Sequence, residues 1–391
     1  MKIRKIFNKI YENINNNQIL LLIWARQVWK TTLMKQIQEK IKNEIKNYFI
    51  NLEDFEIKNY LNKHPNKLFE ITGSSPNEKQ IIFIDEIQYL DNPTNFLKYI
   101  YDEYKDNIKL IVSGSSSFYI DQKFKDSLIW RKIIFNIYTL DFDEFLDFKD
   151  ELELKEIYEK NKQVPLLYKS QFERLLLEYI TYWWYPEIVQ LKNNEKKIER
   201  LASFTQDYIK KDIYDSNIAD SQKFLAILKT LATQTWELLN MNEIANTFDL
   251  SLPTVEKYIY IMQKSFHIAI IRPFYKNVKK ELTKMPKVYF YDLGFRNSLL
   301  KNFDNINLRS DKWNFLENIY FRKFLFKYGL DNINFWRTQN KNEVDFIVNE
   351  NKAYEIKFND KLIKTSKYEL FRKNYPDFNL EFLTYKDILK N

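Results

Sequence analysis

The first third of the chain alternates short apolar runs with stretches of helical spacing. Residues 19–23 read ILLLI, a continuous run that is typical of a strand buried on both faces. A helical pattern follows this run, and two further apolar runs at 80–84 and 108–112 flank another helical stretch at 93–104. The alternation predicts an α/β domain over residues 1–140.

The rest of the chain divides into three predicted segments. Residues 141–225 have mostly helical spacing with charged faces, as in a helical lid, and residues 301–391 mix helices with strands. Residues 226–300 are typical of a winged helix-turn-helix whose second helix begins after Ser251 and runs through Lys264. Its hairpin strands are expected at 268–275 and 288–291, joined by a basic segment that contains Lys276, Lys279, Lys280, Lys284 and Lys287.

The amino-acid composition excludes some kinds of site and leaves others open. The 391 residues include no cysteine, which excludes disulfides and thiolate zinc sites. The two histidines, His64 and His267, are far apart in sequence, and no apolar run near the N-terminus approaches the ~20 residues of a membrane span. We therefore expect a cytoplasmic protein with no membrane contact. The net charge of +8 permits contact with DNA, but acidic and basic residues are interspersed, so an ordinary solvated surface stays equally open.

Residues 24–31, WARQVWKT, fit the phosphate-loop template G-x-x-x-x-G-K-[ST] except that tryptophan replaces both glycines. Such a loop wraps phosphates with backbone N–H groups, its lysine reaches the β/γ oxygens, and its hydroxyl holds Mg²⁺. An indole at either glycine position would fill the space of the phosphates. The candidate ATP-binding residues are Trp24, Ala25, Arg26, Gln27, Val28, Trp29, Lys30, Thr31 and Thr32.

Acidic and hydroxyl residues follow the next two apolar runs. The run at 80–84 ends in Asp85 and Glu86, which suit Mg²⁺ binding and polarisation of the attacking water, respectively. The run at 108–112 ends in a Ser/Gly segment. Within that segment we expect Ser115 to sense the γ-phosphate, although a turn with capping hydroxyls would look the same in sequence.

Ten short motifs follow one another along the chain: ARQV-x-KTTL (25–33), INLED (50–54), FIDEIQYL (83–90), LIVSGSSS (110–117), WRKIIF (130–135), FDEFL (142–146), YWWYPEIV (182–189), PKVYFYDLGFRN (286–297), LENIYF (316–321) and EVDFIV (343–348). Together they resemble a large family of prokaryotic AAA-type ATPases that carry a C-terminal domain of uncharacterised role. The resemblance implies a P-loop ATPase that uses ATP and Mg²⁺, and it places Arg131 where it would reach the phosphates of its own or a neighbouring subunit. An ordinary surface ion pair stays open as the alternative role of Arg131.

Tryptophan repeatedly occupies positions at which the family has glycine. Glycine averages roughly 7% of residues, yet this chain has 4 glycines and 8 tryptophans. Random decay has no reason to choose tryptophan repeatedly while Lys30, Thr31, Asp85 and Glu86 stay in place. Our hypothesis is that the UGA codon encodes glycine in the source organism, and that this sequence results from a translation that reads UGA as tryptophan. The positions where the family has glycine are Trp24, Trp29, Trp130, Trp183, Trp184, Trp236 and often Trp313.

The C-terminal segment has the spacing of a PD-(D/E)xK nuclease core. A helix at 314–328 precedes strands at 333–337, 344–349 and 353–358 and a helix at about 363–373. Glu317 lies in the first helix and Asp345 in the second strand. Glu355 and Lys357 share one face of the third strand. Asp345 and Glu355 would share a second divalent cation, and Lys357 would orient the attacking water.

The sequence thus predicts an α/β fold with four parts: a RecA/AAA-type P-loop domain, a helical lid, a winged helix and a PD-(D/E)xK-like domain. The main hypothesis is a Mg²⁺-dependent ATPase, which assumes glycine at positions 24 and 29. Two alternatives stay open. The chain could be an ATP-gated DNA nuclease, or it could be a non-catalytic factor that binds nucleic acid or protein and whose phosphate loop is not functional. Partners beyond ATP are expected to be DNA, an unidentified protein and further copies of the chain.

Overall fold

The computed structural model describes residues 2–24, 30–114, 128–161, 163–182, 185–274, 284–349 and 351–390, with the backbone alone for Trp24. The chain forms two compact units, Met1–Leu140 and Asp141–Asn391. No helix within the described ranges is both long and apolar enough to cross a membrane.

The first unit is a parallel sheet with helices. Its five strands lie in the order β2-β3-β4-β1-β5, and every neighbouring pair is parallel. The strands are β1 (Ile19–Trp24), β2 (Lys46–Asn51), β3 (Gln80–Asp85), β4 (Ile108–Gly114) and β5 (Lys132–Ile137). The helices are α1 (Ile6–Tyr11), α2 (Lys30–Ile41), α3 (Phe55–Lys63), α4 (Lys67–Thr72) and α5 (Pro93–Tyr104).

The three apolar runs found in the sequence are the three central strands of this sheet. Every residue of β3 and of β4 is buried, as expected of strands that are covered on both faces. The two edge strands, β2 and β5, are only partly buried. The predictions of a helix at 93–104 and of a helix that starts at Lys30 are confirmed.

Helices dominate the first half of the second unit. The segment begins with a capping box, in which the Asp141 side chain accepts from the Glu144 N–H and the Glu144 side chain accepts from the Asp141 N–H. The helices are α6 (Phe142–Phe148), α7 (Leu152–Lys160), α8 (Lys169–Tyr182), α9 (Pro186–Gln190), α10 (Asn194–Asp215), α11 (Ser221–Thr233), α12 (Met241–Phe248), α13 (Leu252–Lys264), α14 (Leu293–Leu300), α15 (Lys312–Tyr328) and α16 (Glu369–Asn374).

Helices α12 and α13 are followed by an antiparallel pair of strands, β6 (Ile268–Ile271) and β7 (Lys287–Phe290). Ser251 caps α13 by accepting from the Thr254 N–H, which confirms the predicted helix start. On its other side β7 is bonded to the segment after α11, where the Leu239 N–H donates to the Pro286 carbonyl at 2.7 Å. The first predicted hairpin strand, 268–275, is wrong in length, because β6 ends at Ile271.

The C-terminal part contains a mixed sheet in the order β11-β10-β9-β8. Its strands are β8 (Ile333–Arg337), β9 (Glu343–Val348), β10 (Lys352–Lys357) and β11 (Asn379–Thr384), and only the β10–β11 pair is parallel. The helix expected at 363–373 is wrong in extent: two 3₁₀ turns precede α16, which is only six residues long. Strand β11 has no counterpart in the sequence prediction.

Candidate functional site

The carboxyl ends of β1, β3 and β4 lie at one edge of the parallel sheet. Strand β1 leads toward Lys30, the first residue of α2, and β3 ends at Asp85. In open α/β sheets ligands bind at this edge, where the connections leave the strands. The side chains that the sequence selected for nucleotide chemistry therefore meet in one place.

Four of those side chains contact one another in pairs. Thr31 Oγ1 donates to Asp85 Oδ2 at 2.7 Å. Lys30 forms an ion pair with Glu86. Asp85 and Glu86 are only 3% and 2% exposed, so both carboxylates are held by partners rather than by water. The lysine and the threonine at the start of α2 thus face the two acids at the end of β3.

Ser113 belongs to this cluster, although the sequence reasoning selected Ser115 instead. The Ser113 hydroxyl donates to Asp85 Oδ1 and accepts from the Glu86 N–H at 2.9 Å. Glu86 has φ 60, a left-handed conformation that costs about 1–3 kcal/mol and is often found at functional sites. Strand β4 pairs with β3 up to Ile84 and Val112, so the residue after Val112, within the strand, was the serine to examine.

The donor set at this edge suits magnesium. Mg²⁺ prefers hard oxygen ligands and is usually held by one or two protein oxygens together with substrate phosphates. The Thr31 hydroxyl and the Asp85 carboxylate are such oxygens, and their hydrogen bond at 2.7 Å places them side by side. The residues present therefore fit the predicted cofactor.

Several predicted residues lie outside the described part of the chain. The loop residues Ala25, Arg26, Gln27, Val28 and Trp29 do so, as does Ser115. For Trp24 the backbone alone is described, as the last residue of β1. Thr32 lies in the first turn of α2. The contribution of the loop to nucleotide binding accordingly stays a prediction.

Arg131 does not lie at the nucleotide edge of its own unit. It precedes β5, and its neighbour Lys132 pairs with Ile19 at the beginning of β1, whereas Trp24 at the end of β1 pairs with Ile137. Five residues of strand separate the two edges by about 17 Å. The Arg131 Nε donates instead to Asp102 at 2.7 Å. Contact with phosphates of the same chain is therefore wrong, and contact with a neighbouring subunit stays a prediction.

A second cluster of acids lies in the C-terminal part. Glu317 on α15, Asp345 on β9 and Glu355 on β10 are all buried. Glu355 forms an ion pair with Lys357, as the strand alternation predicts, and Asp345 Oδ2 accepts from the Ile356 N–H at 2.8 Å. Four residues selected from the sequence are thus brought to one sheet and the adjoining helix.

Lys287 of β7 also lies in this cluster. It was predicted to contribute to a basic wing, and that prediction is wrong because the residue is 0% exposed. Its ammonium contacts Glu317 Oε1 at 3.1 Å, Glu343 Oε1 at 2.6 Å and Asp345 Oδ1 at 3.8 Å. Of the other predicted wing lysines, Lys284 is exposed, while Lys276, Lys279 and Lys280 lie outside the described ranges.

Burial and neighbouring charges shift the pKa values in this cluster. Burial raises the pKa of Glu317 to about 8, against the opposing charge of Lys287. Burial and the charge of Asp345 raise the pKa of Glu355 to about 7. For Glu343, burial is outweighed by Lys287 and Arg337, and the pKa falls. Among the described residues no group of three or more His, Cys, Asp or Glu is arranged to hold a metal ion.

Two family models match separate parts of the chain. Residues 16–146 match the model of the AAA domain, and residues 173–305 match a domain of unknown function, DUF8612. The uncharacterized protein MJ1544 of Methanocaldococcus jannaschii is 25% identical over 400 residues, covering 98% of this chain and 86% of the relative. An uncharacterized protein of Haemophilus influenzae is 23% identical, covering 86% of this chain and 80% of the relative.

Solved structures with partial likeness are also found. A variant of Thermotoga maritima RuvB covers 71% of this chain and 91% of its own, with 14% identity and a TM-score of 0.34. The replication initiator DnaA bound to AMPPCP and single-stranded DNA covers 66% of this chain and 86% of its own, with 14% identity and a TM-score of 0.35.

Proposed function

Because residues 16–146 are the AAA domain of a prokaryotic AAA-family protein, we propose that the chain binds ATP with Mg²⁺ and hydrolyses it. One observation carries the proposal. Lys30 and Thr31 at the start of α2 meet Asp85 and Glu86 at the end of β3, with the Thr31 hydroxyl 2.7 Å from the Asp85 carboxylate. A chain that had lost its nucleotide function would have no reason to keep this set together.

Each side chain has a distinct role in this proposal. Lys30 exchanges its ion pair with Glu86 for the β/γ-phosphate oxygens when ATP arrives. Glu86 is thereby released to orient and polarise the attacking water. Thr31 and Asp85 hold Mg²⁺, which neutralises the developing charge on the phosphates when it is bound. Ser113 fixes Asp85 and the Glu86 backbone in position through its hydroxyl.

The proposal includes glycine in place of tryptophan at the family's glycine positions. Backbone geometry supports it at two described positions, since Trp130 has φ 67 and Trp236 has φ 76. Positive φ suits glycine and is an outlier for a bulky residue. Of the ten described non-glycine residues with positive φ, three are aromatic, and two of those three are tryptophans. Both are among the seven positions selected by the sequence comparison.

The codons test this part of the proposal directly. We expect UGA at positions 24, 29, 130, 183, 184, 236 and 313 and UGG at position 336. Peptide mass spectrometry of protein from the source cells should find glycine at the seven positions and tryptophan at 336. UGG at positions 24 and 29 would favour the alternative of a non-catalytic factor with a dead phosphate loop.

Activity is tested on protein made with Trp24→Gly and Trp29→Gly together. We expect Mg²⁺-dependent release of phosphate from ATP, reduced at least ~100-fold by Lys30→Ala in the same background. Lys42→Ala is the matched control, since this lysine is exposed just beyond α2 and pairs only weakly with Glu39 at 3.4 Å. Equal loss in both variants would show that the lost charge, rather than the site, caused the effect.

We also propose that residues 221–290 form a winged helix that contacts DNA. Support comes from the order α11, α12, α13, β6, β7, with the 236–239 segment bonded along β7, and from the exposed Lys284 beside the predicted basic segment. The test is binding of labelled duplex DNA at several salt concentrations. Replacing Lys276, Lys279, Lys280 and Lys284 by glutamine should weaken binding and reduce its salt dependence.

The alternative of an ATP-gated nuclease receives less support. The order α15, β8, β9, β10, α16, β11 and the position of the acids agree with a PD-(D/E)xK-like fold. Cleavage by such a site needs a divalent cation on Asp345 and Glu355, and the ammonium of Lys287 already contacts Asp345 and two neighbouring acids. Loss of DNA cleavage in Lys357→Ala would be the result in favour of the nuclease.

A further inference from the structure

Lys287 is the least expected residue of the C-terminal cluster, because it comes from β7 rather than from the nuclease-like sheet. Its side chain is 1% exposed, and its ammonium contacts the carboxylates of Glu317, Glu343 and Asp345 at 3.1, 2.6 and 3.8 Å. One cation among three carboxylate groups from a helix and a strand is the arrangement that oxygen-ligated metal sites also use.

The neighbours of Lys287 hold β7 in place against α15. The Asn318 side chain, fully buried, accepts from the Phe290 N–H at 2.8 Å and donates to the Phe290 carbonyl at 2.9 Å. The Tyr289 hydroxyl donates to Glu317 Oε1 at 2.5 Å. These bonds tie the last two residues of the four-residue strand to α15, and Lys287 is the first residue of that strand. The strand that carries Lys287 is therefore held against α15 by buried hydrogen bonds.

The other basic groups around the cluster are already engaged. Arg337 pairs with Glu343 at 2.6 Å, and Lys357 pairs with Glu355. Lys287 contacts both Glu317 and Asp345, and the charge of Lys357 also acts on Asp345. A buried carboxylate without a cation or hydrogen bonds is strongly destabilising. Glu355 Oε2 is also buried, and the Tyr368 hydroxyl and Lys357 both act on this carboxylate.

We propose that the Lys287 ammonium occupies the position in this acidic cluster at which a divalent metal ion would have to bind. The C-terminal sheet is therefore a metal-free module, joined to the hairpin of β6 and β7 by a buried charge contact. As arranged around the ammonium, the described acids form no group that holds a metal ion; removal of the ammonium would let Glu317, Glu343 and Asp345 close on a hard divalent cation such as Mn²⁺ or Mg²⁺. The proposal is independent of the ATP site.

The first test compares Mn²⁺ binding by the nucleotide-free full chain with binding by the double variant Asp345→Asn, Glu355→Gln. Free Mn²⁺ is followed by electron paramagnetic resonance. Both proteins share the AAA domain, so a difference in bound Mn²⁺ reports the C-terminal cluster alone. We expect no difference. One additional Mn²⁺ bound by the unmodified chain and absent from the double variant would overturn the proposal.

The second test uses Lys287→Met, which keeps the length of the side chain and removes its charge. We expect it to bind one additional Mn²⁺ at least tenfold more tightly than the unmodified chain, and to lose this ion when Asp345→Asn is added. Lys287→Arg is the matched control and should bind no additional ion. Folded Lys287→Met protein without additional Mn²⁺ would contradict the proposal. If this variant does not fold, the comparison of the unmodified chain with the double variant decides.

Discussion

Trp130 is the position at which stability measurements test most directly whether the backbone requires glycine where this sequence has tryptophan. Its backbone has φ 67, and the residue is 87% exposed. The backbone bonds of this turn, from the Arg131 N–H to the Leu128 carbonyl at 3.1 Å and from the Gln18 side chain to the Trp130 carbonyl at 3.2 Å, do not depend on the indole. Comparing Trp130→Gly with Trp130→Ala removes the indole in both and changes only the Cβ.

The expected difference follows from the left-handed backbone. A residue with a Cβ is disfavoured there by roughly 1–2 kcal/mol, and glycine loses about 0.5–1 kcal/mol more backbone entropy on folding. Trp130→Gly should therefore have a free energy of unfolding about 0.5–1 kcal/mol higher than Trp130→Ala. This sign is opposite to the usual ranking of glycine and alanine within helices and strands.

Urea unfolding of the full chain, followed by circular dichroism, measures this difference. The matched control is Trp336, which lies in β8 and is 4% exposed. There, glycine should be less stable than alanine by about 0.5–1 kcal/mol, and both should be about 3–5 kcal/mol less stable than tryptophan. If alanine is also the more stable residue at 130, position 130 does not require glycine and the geometric support for the recoding is lost.

Three further predictions concern other buried contacts. Lys109→Met should lower the free energy of unfolding by about 1–3 kcal/mol, because its ammonium donates to the Asn13 and Asn16 carbonyls at 3.0 and 2.7 Å; thermal denaturation checks this. Burial would raise the pKa of Asp311, but bonds from Arg309 and the charge of Arg296 lower it to about 2. Asp311→Asn should therefore cost about 1–2 kcal/mol at pH 7, after allowance for solvent screening, and this difference should vanish as the pH falls from 4 to 2. Ser113→Ala, in protein with glycine at 24 and 29, should slow ATP hydrolysis about tenfold while ATP binding is retained, as measured by phosphate release and nucleotide titration.

The central strands could be predicted because burial on both faces leaves a continuous apolar run. Strand β5 is an edge strand with mixed burial, so its residues carry no such signal. Strand β11 alternates exposed and partly buried positions and was missed for the same reason. The helix expected at 363–373 failed because its spacing is shared by short 3₁₀ turns.

The residues of the candidate sites also divide into those that the sequence could predict and those that it could not. The pairs Lys30–Glu86 and Thr31–Asp85 could be predicted, since a motif and a strand end fix where each side chain lies. Lys287 could not, because its role depends on β7 packing against α15, a contact between residues 30 positions apart. In sequence it is one lysine among several in a basic segment, where a solvated position is the ordinary expectation.

Hydrolysis of ATP by the chain with glycine at positions 24 and 29 is the measurement that decides whether the chain is an ATPase. We expect Mg²⁺-dependent turnover that is lost in Lys30→Ala and in Glu86→Gln, with ATP binding retained in Glu86→Gln because that residue acts on the water rather than on the phosphates. Failure of the glycine-containing protein to bind ATP, while its thermal unfolding shows a folded first unit, would contradict this expectation.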